Sequence, residues 1–200
     1  MPVVISGGNK HGKVTDQVKG ISFWQQQDRG VRVYHSKEEV EFPRLPAPRY
    51  LHQMVSLPIG GKPHLLVIGG KENVFDTSAV NTVFKLNIEE FIKAKGNKAT
   101  ADKAVSWEQV ASMNDPRCMF AATVVDKRFV YAFGGVIGTK DNVQNPNIMP
   151  RSVCERYDSV TNTWASFTIE GAPVLSSFGW CPGTDKGVIY VLGGSDGYTL

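Results

Sequence analysis

The sequence predicts an all-β protein built from a repeated antiparallel unit of four short strands, and three observations predict it. Runs of β-branched or aromatic residues end four times in a double glycine: VVISGG at Gly7 and Gly8, HLLVIGG at Gly69 and Gly70, FVYAFGG at Gly134 and Gly135, and VIYVLGG at Gly193 and Gly194. The spacings are 62, 65 and 59 residues, and self-similarity at a fixed period is the mark of a repeat architecture. A proline turn and a second apolar segment precede three of these pairs, in PAPRYLHQMVSL (46–57), NDPRCMFAATVV (114–125) and GAPVLSSFGW (171–180). Segments bearing aromatic residues follow them, most clearly SVCERYDSVTNTWASF (152–167), where Tyr157 and Trp164 flank the turn-forming DSVTN. Short strands separated by regular turn signals read as antiparallel β structure.

Taken in chain order, each unit holds strand a after the proline turn, strand b closing in Gly-Gly, strand c with Tyr or Leu, and strand d with Trp or Phe. The chain opens on strand b and continues in a long b–c loop over 9–30. Strands c and d are expected within GVRVYHSKEEVEF (30–42), with Tyr34 as the strand-c aromatic. The second unit repeats a and b, has a b–c loop over 71–81 and strand c in NTVFKLNIEEF (81–91), and places Trp107 in strand d. IEEFIKAK (88–95) reads as a helical turn, and KAKGNKATADKA (93–104) as a solvated insert. The third unit is complete, and the fourth shows a and b. Boundaries fall at 1–45, 46–113, 114–170 and 171–200. The glycines supply positive φ and close backbone approach. Trp107, Trp164, Tyr34 and Tyr157 are expected to be packing residues between neighbouring units.

Gly-Gly after an apolar strand, then Tyr, then Trp seven residues on, then Pro-Arg before the next strand, resembles the kelch repeat of β-propeller proteins. The resemblance covers nearly all of the chain. Leu86 stands where Tyr is expected, Phe42 where Trp is expected, and Val174 follows Pro173 in place of arginine. It implies a kelch-type β-propeller of four-stranded antiparallel blades, about three of them, so that the ring is incomplete. Propellers close with four to eight blades, so the rest of the propeller or a second chain is expected to complete it.

Composition narrows the function classes. The residues are 42% hydrophobic and 20% charged, with 22 Lys and Arg against 19 Asp and Glu, a formal charge of +3. That balance gives no basic footprint for nucleic acid or an anionic membrane. No apolar run approaches the length of a membrane span, and MPVVISGGNKHGK lacks the pattern of a signal peptide, so a cytoplasmic or cytoskeleton-associated location is expected. Cys118, Cys154 and Cys181 lie far apart with no CxxC spacing, which supports neither a disulfide framework nor a zinc site. His11, His35, His52 and His64 show no metal-ligand spacing, and no nucleophile elbow or phosphate-binding loop is present. No catalytic residue, metal or cofactor is therefore assigned.

Antiparallel order puts the b–c loops and d–a turns on one propeller face, where a protein partner is expected to bind. Candidate contacts are Phe23 and Trp24 in the first long loop, Ile148, Met149 and Arg151 in the third, and Arg49 and Arg117 at the d–a turns, with Arg44 adding charge. Arginines there would read an acidic peptide or pair with a carboxylate of a neighbouring blade. The expectation is a non-enzymatic protein–protein interaction module or scaffold component. The alternative, implied by the resemblance, is a propeller enzyme of the galactose oxidase or sugar epimerase type, with its site at the central channel. The copper type requires Tyr and His ligands with a Cys–Tyr crosslink, and no such set is evident in this sequence.

Overall fold

A computed structural model describes residues 2–28, 31–75, 78–96, 105–136, 153–172, 174–182 and 188–195. Its strands form successive antiparallel sheets. β1 (Pro2–Ser6), β4 (Val18–Asp28) and β5 (Val31–Glu41) make a three-stranded sheet in the order β1-β4-β5, with β2 (Asn9–Lys10) and β3 (Lys13–Val14) as a small hairpin beside it. β6 (Gln53–Ile59), β7 (Lys62–Ile68), β8 (Val83–Asn87) and β9 (Glu108–Val110) form a four-stranded meander. β10 (Ala121–Val125), β11 (Phe129–Phe133), β12 (Val153–Asp158) and β13 (Thr163–Thr168) form a second. β14 (Gly179–Pro182) pairs with β15 (Ile189–Leu192) in a fourth sheet. The protein is thus all-β, with four-stranded antiparallel sheets and, among the described residues, one short helix, α1 (Ile88–Gly96).

Two expectations about the first sheet are corrected. The expected loop over 9–30 contains β2, β3 and the whole of β4, which pairs with β1 on one side and β5 on the other. The expected c–d pair in 30–42 is one strand, β5, so Tyr34 lies in the third strand of this sheet rather than the second. β1 pairs with the first half of β4, Val18–Ser22, and β5 with nearly its whole length, so the glutamine run is held as a strand by β5.

The sheets stack face to face, which accounts for the nearly continuous apolar run of β7. Leu66 and Ile68 point into a core shared with Phe120, Val130, Tyr157 and Trp164 of the third sheet. Leu65 and Val67 point the other way, into a core with Val18, Leu45 and Trp107. Strand alternation sends successive residues to opposite faces, and here both faces are buried. Each fully buried aliphatic side chain contributes about 1.5–3 kcal/mol relative to exposure.

Tryptophans fasten one sheet to the next. Trp107 Nε1–H donates to the Pro43 carbonyl at 2.8 Å, and Trp164 Nε1–H to the Ala111 carbonyl at 2.9 Å. Each acceptor lies just beyond the last strand of the preceding sheet. Tyr157 is buried against Trp164, with ring centroids 5.3 Å apart, and its hydroxyl donates to Asn162 Oδ1 at 2.9 Å.

The double glycines make a second fastening. Gly70 N–H donates to the Arg117 carbonyl at 2.9 Å, Gly135 N–H to the Leu175 carbonyl at 2.9 Å, and Gly8 N–H to the Arg49 carbonyl at 2.7 Å. In each case the acceptor opens the next sheet. α1 covers the c–d side of the second sheet. Asn87 Oδ1 caps it by accepting from Glu90 N–H at 3.1 Å, and Phe91 stacks on Phe42 at 4.4 Å.

Candidate functional site

The approach to the first strand of each sheet has the same shape in three places. Tyr50, Cys118 and Ser176 each form an isolated antiparallel bridge, to Lys71, Val136 and Ser195. The next residue in each case, Leu51, Met119 or Ser177, adopts the left-handed backbone region, with φ of 56°, 54° and 54°. That conformation is costly for residues other than glycine. A chain of hydrogen bonds holds it: Met119 N–H donates to the Leu51 carbonyl, and Ser177 N–H to the Met119 carbonyl, both at 3.1 Å. The three turns are therefore tied in sequence, from sheet to sheet, along the first-strand edge.

Above this ledge lies an open hollow of about 240 Å³, lined by Leu51, His52, Gln53, Met119, Phe120, Ser177 and Phe178. Three consecutive sheets contribute to it. The equivalence of the turns places His52 where the next two sheets have Phe120 and Phe178. Its imidazole Nε2 is 2.7 Å from Ser6 Oγ, and Nδ1 is buried with no hydrogen-bond partner. Burial, and secondarily the nearby Arg49 guanidinium, lowers its pKa from 6.5 to about 4, so the ring is neutral at pH 7. Unlike a catalytic dyad, the pair has no carboxylate on the second ring nitrogen, and a base this weak takes up protons poorly.

The depressed value has a consequence for stability. The unfolded chain binds a proton at His52 below about pH 6.5, and the folded chain only below about pH 4. Stability from this group is complete above pH 6.5 and is lost as pH falls towards 4, by about 3 kcal/mol in total. His52→Phe is therefore expected to flatten the fall in unfolding free energy between pH 6.5 and 4.5, measured by urea titration. An unchanged pH profile would show that the ring is not buried as described.

The arginines at the d–a turns do not face outward. Arg117 is 0% exposed. Its Nη1 donates to the Gly134 and Val153 carbonyls at 3.1 Å, and its Nη2 to Glu155 Oε1 at 2.9 Å. Glu155, also 0% exposed, accepts from the Asn114 and Asp115 N–H groups at 2.6 and 3.1 Å. Arg49 is buried too, bonded to Glu72 and Thr82 and lying 5.3 Å from the Phe84 ring centre. Both are held within their own sheets, which leaves neither guanidinium free to read an acidic peptide. Arg44 is exposed and pairs with Asp16 at 2.8 Å. Phe23 and Trp24 lie in β4, opposite Ser36 and His35 of β5. Ile148, Met149 and Arg151 lie outside the described residues.

The residues that sequence reasoning missed are Leu51, Gln53 and Met119. Aligning PRYLH with PRCMF would have set His52 against Phe120, but PVLSSF carries one more residue between proline and phenylalanine, so only the shared bridges and left-handed turns bring Phe178 into the same place. Among the described residues, no group of three or more His, Cys, Asp or Glu is placed to hold a metal. No helix among them is long and apolar enough to cross a membrane.

The cysteines divide by burial. Cys118 and Cys154 are buried and Cys181 is exposed. Burial pushes the Cys118 thiol up to about 11, against a weaker opposing pull from Lys71, and raises Cys154 as well. One thiol of the three, Cys181, is expected to react rapidly with a disulfide reagent in the native state. Fast labelling of Cys118, read by peptide mass mapping, would contradict this core.

No protein-family model matches the chain, and no curated protein matches it. Among solved structures it is similar to a fungal alcohol oxidase of the AA5 family, in complex with copper, at 13% identity and a TM-score of 0.54. The match covers 86% of this chain and 32% of the oxidase, so the chain spans about a third of that protein. At this identity the likeness speaks for the fold. It also corrects the expectation of a non-enzymatic interaction module and of a protein that is no enzyme. One solved structure that shares this architecture is an oxidase, and the alternative of a propeller enzyme fits that finding better. At this identity no copper site follows from the fold.

Proposed function

We propose that this chain forms a segment of a kelch-type β-propeller enzyme and supplies one wall of a site at the mouth of the central channel. In this reading the blades fall at 1–45, 46–113, 114–170 and 171–200, and the hollow over the Leu51–Met119–Ser177 ledge is the substrate site. The recurrent Gly-Gly latches and Trp-to-carbonyl bonds between sheets support the repeat type. The observation that carries the site is the set of polar groups at His52, Gln53 and Ser177 among the apolar residues of a hollow built by three successive sheets.

Its chemistry suits a small neutral polyol. The Leu51 and Met119 side chains, with the part-exposed Phe178 ring, offer apolar surface to C–H groups, while the Gln53 amide and Ser177 hydroxyl exchange hydrogen bonds with hydroxyls. His52 is uncharged at pH 7, so the site offers no charge to an ionic ligand. The alcohol oxidase that shares the fold acts, by its name, on a substrate of this class. No oxidative step is assigned to the residues of this hollow.

Titrating the intact protein with galactose and glycerol, against glucuronate and glucosamine, tests the reading by NMR chemical-shift change. Neutral polyols are expected to shift the signals of Gln53 and Ser177, and Gln53→Ala to weaken binding about tenfold, the loss of one or two hydrogen bonds. Saturable binding of the charged sugars alone, or shifts elsewhere only, would overturn it.

A further inference from the structure

The ledge brings three different side chains to one repeated position, and one of them is open to chemical change. Leu51, Met119 and Ser177 each follow an isolated bridge, each has a left-handed backbone, and all three line the hollow. A leucine side chain is inert there, and a hydroxyl resists mild oxidants. The thioether of Met119 is different, because its sulfur has no proton to lose and stays nucleophilic whatever the pH.

Met119 is also held in place. Its N–H donates to the Leu51 carbonyl and its carbonyl accepts from Ser177 N–H, both at 3.1 Å. The Ser177 hydroxyl donates to Met119 Sδ at 3.2 Å. On its other side the residue packs against the buried Ala79, Cys118 and Val136. A methionine ordinarily has three rotatable bonds with which to turn its sulfur away, but these contacts keep Met119, half-buried, at the wall of an open hollow of about 240 Å³. Thioether sulfur carries two lone pairs, and Ser177 engages one. The other described methionines lack this setting. Met113 is 1% exposed, within the core between the second and third sheets. Met54 packs on the core at the other side of the second sheet.

We infer that Met119 is a modification site, oxidised to the sulfoxide by a small hydroperoxide that enters the hollow, and that this change weakens ligand binding there. The second half rests on the polyol site proposed above. With hydrogen peroxide, the free lone pair of Sδ attacks one oxygen. The S–O bond forms as the O–O bond breaks, sulfur gives up two electrons, and the proton of the transferred oxygen passes to the departing hydroxide, which leaves as water. The sulfoxide oxygen is a far better acceptor than the thioether it replaces. The Ser177 hydroxyl turns to it and is withdrawn from ligand hydroxyls, and the apolar wall beside it becomes a dipole.

The test treats the intact protein, with Cys181 capped by iodoacetamide, with hydrogen peroxide and follows its methionines by peptide mass mapping. Met119 is expected to oxidise about tenfold faster than Met54 and Met113, because it alone reaches the hollow. The Ser177 amide signal should shift in step. Galactose affinity, read from the Gln53 signal, is expected to fall about tenfold, the loss of one or two hydrogen bonds. The two methionine sulfoxide reductases, one for each sulfoxide epimer, should restore it. Whatever its starting affinity, Met119→Leu is expected to keep it through the same treatment, whereas Met54→Leu should lose affinity as the wild type does. Equal oxidation rates at Met119 and Met54, or undiminished affinity with Met119 wholly oxidised, would overturn the inference. A protein that binds no galactose before treatment would instead overturn the polyol site, and the relative rates with the Ser177 shift would still decide whether Met119 is the modification site.

Discussion

Replacing Arg117 with methionine is expected to destabilise the chain by about 3–5 kcal/mol, the usual cost of breaking a buried ion pair from one side. The size follows from what remains. Glu155 would stay 0% exposed, with a carboxylate facing the space left by the guanidinium and only the Asn114 and Asp115 N–H groups to answer it. The Gly134 and Val153 carbonyls would each lose a donor as well. Arg49→Met is expected to cost less, because its partner Glu72 is 48% exposed and regains water. The repeat also supplies a design for the double variant. Leu175 and Phe84 are the residues that other sheets place at these two positions, so Arg117→Leu with Glu155→Phe should recover part of the loss. Urea unfolding of both single variants and the double would give the coupling directly. A single variant within 1 kcal/mol of the wild type would mean that Arg117 and Glu155 do not share a dry site.

What the sequence disclosed depended on whether a constraint acts through residue type or through backbone shape. The Gly-Gly pairs were legible because all eight glycines take positive φ, and at most of them a Cβ would also crowd neighbouring backbone. Tyr157 and Trp164 were legible because each fills a large space and aims a polar atom at one acceptor. The ledge was not legible. Leu51, Met119 and Ser177 share a backbone conformation and a chain of hydrogen bonds, yet no chemistry, so their equivalence leaves no mark in composition. β4 was missed for a related reason: VKGISFWQQQD is polar enough to read as a loop, and its strand character comes from β1 beside its first half and β5 along nearly all of it. The arginines were recognised as recurrent, but their burial was hidden by distance, since Glu155 lies 38 residues beyond Arg117. A recurrent arginine beside Gly-Gly turns reads as a surface residue until the carboxylate that holds it is found.

The same logic gives the glycine pairs a test with an internal control. Gly134→Ala is expected to be strongly destabilising and Gly193→Ala mild, although the two occupy the same place in successive sheets and have nearly the same φ, 65° and 66°. An alanine Cβ at Gly134 would lie 2.6 Å from both the Leu175 carbonyl oxygen and a ring carbon of Phe178 in the next sheet. At Gly193 it would meet nothing within 4 Å. Both variants carry the left-handed penalty of about 1–2 kcal/mol. Gly134→Ala adds an overpacking cost of about 1–3 kcal/mol, and the shift needed to relieve it would pull on the neighbouring bond from Gly135 N–H to Leu175. Unfolding midpoints of the two variants separate backbone strain, which they share, from contact between sheets, which only Gly134 makes. Equal destabilisation would mean that the double glycine serves the turn alone. A gap of 1 kcal/mol or more would place its role between the sheets, where the hydrogen bonds from Gly70 and Gly135 already point.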